Sequence, residues 1–245
     1  MRWHNKVEQI YTIPVNEAFS ASEADKTIGC PLCALRRKLE NDELTSILGA
    51  SMMEPDIRIM TNKQGFCRTH YDIMLTRNNR LGMALTLESH LDEISRDIKR
   101  GFADSVGKTP RKRITELESS CYVCNRTDFK FSKMLETTIL LWDSYPEFSA
   151  KFKAQPYFCL PHYKQMLECS QNKLSKKKQA LFAEQCEEIV NSYLETLRED
   201  VSWFCKKFDY RYEDEPWKNS KDAIERAIKF LRSDIHTTQK DSNSK

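Results

Sequence analysis

Cys30-Pro31-Leu32-Cys33 is the stretch on which the reading of this chain turns. Its two cysteines stand three positions apart, so on a helix both side chains leave from one face and act as a two-pronged clamp. Pro31 suits the first helical position, where its missing N–H costs nothing. The residues beyond it read as helix. Leu35, Leu39, Leu44, Ile47 and Leu48 mark one apolar face, and Gly49 supplies a stop. Further along, Cys67-Arg68-Thr69-His70 opens a second helical stretch. Cys121-Tyr122-Val123-Cys124 then restores the CxxC pattern, and Cys159-Leu160-Pro161-His162 the CxxH pattern. With nine cysteines and five histidines in 245 residues, chance gives about 0.3 CxxC and about 0.2 CxxH pairs. Two of each occur, in alternation.

The spacing repeats as well. Thirty-three residues separate Cys33 from Cys67, and 34 separate Cys124 from Cys159. At an offset of 91, Leu44 matches Leu135, Leu48 matches Ile139 and Pro55 matches Pro146; at 92, Phe66 matches Phe158, Tyr71 matches Tyr163 and Met74 matches Met166. A one-residue insertion between Asp56 and Phe66 accounts for the change. The pattern is that of a duplicated module with three cysteines and one histidine.

Three thiolates and an imidazole close a tetrahedral shell around Zn²⁺ and leave no position for water or substrate. The simplest assignment builds each site within its own repeat: Cys30, Cys33, Cys67 and His70 in one, Cys121, Cys124, Cys159 and His162 in the other. Exchange of ligand pairs between repeats satisfies the same chemistry, and spacing does not choose between them. Each site carries about one net negative charge, which helix N-termini favour. Two zinc ions per chain with six thiolates would take the formal charge from +3 to about +1. An iron–sulfur cluster is the alternative occupant, although such clusters are usually held by cysteine alone. Redox-active CxxC pairs would leave the CxxH motifs unexplained.

The rest of the sequence is consistent with an all-α protein. Apolar residues make up 40% and charged residues 31%, with only 6 Gly and 8 Pro, which excludes collagen-like and low-complexity chains. Ala84, Leu87, Leu91, Ile94 and Ile98 predict a core stripe, as do Leu181, Ile189, Tyr193, Leu197, Val201, Phe204 and Phe208. Residues 55–65 and 146–156 read as irregular or short extended chain. Residues 101–113, with Pro110 and Arg111-Lys112-Arg113, read as a linker. The expected division is residues 1–106 as first repeat, 107–208 as second, and 209–245 as a C-terminal helical cap with Trp217 docking it. Cys169, Cys186 and Cys205 read as plain buried thiols, His90 as a hydrogen-bonded structural residue, and His4 and His236 as isolated. The near-neutral charge makes Arg111–Arg113 and Lys176–Lys178 solvated faces rather than nucleic-acid sites. There is no apolar signal core and no membrane-spanning stretch, so a cytoplasmic location is expected. No phosphate loop, nucleophile elbow or HExxH motif is present, so no catalytic residue is assigned and no substrate is identified.

Further local sequences carry a resemblance: Tyr11-Thr12-Ile13-Pro14-Val15-Asn16-Glu17-Ala18-Phe19, Met53-Glu54-Pro55-Asp56, Asn79-Arg80-Leu81-Gly82, Phe208-Asp209-Tyr210-Arg211 and Pro216-Trp217. With the four Cys/His motifs, they resemble an uncharacterised family of bacterial proteins, mostly from anaerobic Firmicutes, classed as a domain of unknown function. Its members are sometimes labelled substrate-binding proteins of ABC transporters; the helical pattern and missing signal core argue against that here. The resemblance supports the module and implies no activity. The expectation is a non-enzymatic binding or regulatory adaptor with an unidentified protein partner, and the alternative is a metal-dependent redox protein or sensor.

Overall fold

The computed structural model describes residues 9–101 and 108–235. Among them are eleven α-helices, three 3₁₀ turns and no strand. His4, His236 and most of the polar tail lie outside the described residues, as does 102–107 of the expected linker. No described helix is long and apolar enough to cross a membrane.

The described chain divides into two compact units, and the division differs from the sequence repeats. One unit takes the chain up to Arg37 together with Phe131 onward; the other runs from Lys38 to Lys130. Both boundaries fall inside long helices.

The first unit contains α1 (Gln9–Ala24), the start of α2 (Pro31–Leu48) and the later part of α7 (Tyr122–Ser144). It also holds α8 (Pro146–Lys153), α9 (Leu160–Lys173), α10 (Lys176–Lys206) and α11 (Ala223–Arg232). Aromatic packing organises it. Phe19 of α1 meets Phe148 and Phe152 of α8 at ring separations of 5.0 and 5.9 Å, and Phe152 continues to Phe158 and Phe182 at 4.8 and 5.4 Å. Helix α10 packs on α9 and α11. The cap is anchored by Phe230, which is fully buried beside Tyr157 and Tyr193. Trp217 instead packs on Phe204 and Lys207, so it pins the loop at the foot of α10.

The second unit contains the later part of α2, α3 (Pro55–Gln64), α4 (Arg68–Thr76), α5 (Arg80–Gly101), α6 (Lys108–Glu118) and the start of α7. Leu44, Ile47, Leu48, Phe66, Met74, Met83, Tyr122 and Val123 form its core.

Four local expectations are corrected. Residues 55–65 and 146–156 are mainly the helices α3 and α8, because Pro55 and Pro146 start helices at positions where no N–H is needed. Pro110 and the Arg111–Arg113 cluster lie in the first turns of α6 rather than in a linker. On α5 the buried residues are Gly82, Met83, Thr86 and His90, while Ala84 and Leu91 are exposed and Ile98 is 37% exposed. On α10, Phe182 and Cys186 join Ile189 and Leu197 in the core, whereas Leu181 is exposed; Phe208 lies beyond the end of the helix and is exposed as well.

Candidate metal centres

Each of the four motifs sits at a helix start. Cys30 immediately precedes α2, Cys121 precedes α7, and Cys67 and Cys159 are the N-caps of α4 and α9. The third residue after each falls in the first helical turn, as Cys33, Cys124, His70 and His162. Backbone bonds set this geometry: Cys67 O accepts from Tyr71 N at 3.0 Å, Cys121 O from Asn125 N at 3.0 Å and Cys159 O from Tyr163 N at 2.9 Å. Two helix N-termini therefore meet at the sulfurs of each centre and favour negative charge there. Gly29 turns the chain into the first motif at φ 75°, and a Cβ there would lie 2.7 Å from Tyr157 Oη, so both conformation and space call for glycine.

The eight expected residues come together as two sets of four, grouped across the repeats. Cys30 and Cys33 meet Cys159 and His162; Cys67 and His70 meet Cys121 and Cys124. The within-repeat assignment is thus corrected. The 18 residues of α2 and the 23 of α7 carry the chain about 27 and about 34 Å along their axes. Each helix thus leads the chain away from the CxxC at its start.

Both sets have single-ion dimensions. A tetrahedral zinc with bonds of about 2.3 Å to sulfur and about 2.0 Å to nitrogen has edges of about 3.8 Å between sulfurs and about 3.5 Å between sulfur and nitrogen. In the first centre Cys33 Sγ lies 3.6 Å from Cys159 Sγ, and His162 Nδ1 lies 3.6, 3.4 and 3.1 Å from the sulfurs of Cys30, Cys33 and Cys159. In the second, Cys67 Sγ lies 3.9 Å from Cys124 Sγ. There His70 Nδ1 lies 3.1, 3.3 and 3.5 Å from the sulfurs of Cys67, Cys121 and Cys124.

Thiols this close cannot all ionise unaided. In the second centre, hydrogen bonding from Cys124, with help from His70, pulls Cys121 down to about 3 against the effect of burial. The thiolate of Cys121 then pushes Cys124 well up. Burial disfavours charge on His70, yet the Cys121 sulfur and the Glu40 carboxylate raise it to about 10. In the first centre burial likewise opposes ionisation of Cys30, and bonds from Cys159, Cys33 and His162 overcome it; Cys159 is pushed up by Cys30 and Cys33. A divalent cation at either set would favour the ionised form of the sulfurs around it.

The surroundings of the two centres differ. Glu40 is buried, and its Oε1 lies 2.9 Å from His70 Nε2, which leaves Nδ1 facing the sulfurs. Around the first centre, the Phe131 ring lies 5.2 Å from the His162 ring, with the Arg36 guanidinium over Phe131. The Asp234 backbone N–H donates to Cys33 Sγ at 3.4 Å. Asp234 is itself held by Arg37 and by Lys229 at 3.4 Å. Sequence reading had no marker for Glu40 or Asp234, since each is one acid among 36 acidic residues.

The remaining residues fall outside both sets. His90 is buried with Nδ1 2.8 Å from Asn62 O, a structural role as expected. Cys186 is buried and its thiol is pushed up by that burial. Cys169 is only half-buried, raised to about 11 mainly by burial, and Cys205 is exposed rather than in the core.

Fold and centres together define an all-helical protein with two Cys₃His sets, each able to hold a metal ion. The family model described as a family of unknown function (DUF6062) matches residues 6–238, and the chain belongs to that family. Comparisons with curated proteins and with solved structures give no match.

Proposed function

We propose that the chain holds two zinc ions, each in a closed scaffold site, and acts as a non-enzymatic binding or regulatory adaptor in the cytoplasm. The observation that carries this reading is the arrangement of eight donor atoms as two compact fours, with all donors of each four within 4.8 Å of one another. That size favours one ion over a cluster, because a cluster interposes several metals and sulfides between its ligands. Mixed sulfur and imidazole donors suit zinc. Four protein donors fill the coordination shell, which points to holding structure rather than to turning over substrate.

Zinc binding of this kind contributes roughly 10–16 kcal/mol per site, comparable with a domain's whole stability of about 5–15 kcal/mol. Metal analysis of anaerobically purified protein is expected to give two zinc ions per chain. A strong chelator is expected to abolish the cooperative thermal transition and most of the helical circular dichroism. Zinc clearly below two per chain, iron with sulfide, or a chelated protein with unchanged helicity and Tm would overturn the reading.

A further inference from the structure

The two centres share a donor set and differ in access. All four donors of the first are buried, and Asp234 and Phe131 lie against it. In the second, His70 and Cys121 are buried while Cys67 and Cys124 are partly exposed. The sulfurs of these two partly exposed residues are also neighbours, 3.9 Å apart. Closing that gap to a disulfide of about 2.05 Å needs a movement of roughly 1 Å from each side chain. They come from different helix starts, α4 and α7, so no short loop has to be strained to join them.

From this geometry we propose that the second centre is a peroxide-sensitive zinc–thiolate switch, in which Cys67 and Cys124 become a disulfide and that centre's ion is released while the first centre keeps its own. The proposal rests on the zinc reading above. One of the two thiolates attacks hydrogen peroxide; an S–O bond forms, the O–O bond breaks and hydroxide leaves, giving a sulfenic acid. The other thiolate attacks that sulfur; the S–S bond forms and a second hydroxide leaves. Two electrons pass from the sulfur pair to the peroxide, and two protons taken from solvent convert the hydroxides to water. Only Cys121 and His70 remain as donors, too few to hold the ion. Peroxide is small and uncharged, which suits entry at a partly exposed edge. The buried Glu40 carboxylate on His70 adds negative charge beside the sulfurs and keeps them electron-rich. A dithiol reductant and fresh zinc reverse the reaction.

The test uses the full-length zinc-loaded protein. Its zinc content is measured first; a value other than two per chain counts against the zinc reading itself. Hydrogen peroxide is then added, released zinc is followed with a chromogenic indicator, and disulfides are mapped by peptide mass spectrometry. The expected result is one ion released per chain, with a Cys67–Cys124 disulfide and with Cys30, Cys33 and Cys159 unmodified. Loss of the second ion is expected to be at least roughly tenfold slower. The Cys205→Ser variant, lacking the exposed thiol outside both centres, should release zinc at the same rate. Release of both ions at one rate, retention of both, or a disulfide between any other pair would overturn the proposal.

Discussion

His70 and His162 present the same nitrogen to their sulfurs and have different neighbours. At the 91-residue offset that relates Leu44 to Leu135, Glu40 corresponds to Phe131. One position thus supplies a carboxylate to His70 and an aromatic ring to His162. A carboxylate on the far nitrogen fixes the tautomer and makes the imidazole a better donor. Replacing Glu40 with Leu should weaken metal binding at the second centre about 10–100-fold, read by competition against a chromogenic chelator. Glu40→Gln, which keeps a hydrogen-bond acceptor, should lose less, and the first centre should be unaffected. Equal weakening at both centres would contradict this role. All eight donors were legible in the sequence because their spacing is so improbable by chance. Glu40 was not, since a glutamate two turns into a helix ordinarily marks a solvated face.

At the scale of elements, helical content was legible and helix faces less so. The α5 stripe was read from its aliphatic residues, yet the helix buries Thr86 and His90 and leaves Leu91 61% exposed. Hydrogen bonding explains the inversion. Thr86 Oγ1 donates to Gly82 O at 2.9 Å and His90 Nδ1 lies 2.8 Å from Asn62 O, so a polar seam can be buried without penalty. Hydrophobic periodicity cannot register such a seam. Arg113 completes it from α6, pairing with Asp97 at 3.0 Å and donating to Asn62 O and Lys63 O at 2.9 and 2.6 Å. Its neighbour Lys112 makes only an exposed contact to Glu116 at 3.8 Å. Arg113→Ala should therefore lower stability by about 2–4 kcal/mol, against within ~0.5 kcal/mol for Lys112→Ala, in denaturant titrations of the zinc-loaded protein. Similar midpoints for the two variants would show that the seam contributes little. Residues 55–65 and 146–156 are a second case: each opens on a proline, which at N1 starts a helix.

At the scale of the whole chain, the sequence shows a repeated motif pair and the structure shows which pairs share a centre. The gaps of 33 and 34 residues place a CxxH after each CxxC without showing that the two share a centre, so spacing did not choose the grouping. The structure makes the choice: within each compact unit the CxxC of one half stands with the CxxH of the other. This grouping can be observed without mutating any of the eight residues. In the protein loaded with ¹¹³Cd, a proton–cadmium correlation spectrum links each ion to the Cys β-protons and His ring protons of its own donors. The structure predicts one ion coupled to Cys30, Cys33, Cys159 and His162, and the other to Cys67, His70, Cys121 and Cys124. A single ion coupled to Cys30, Cys33, Cys67 and His70 would contradict it.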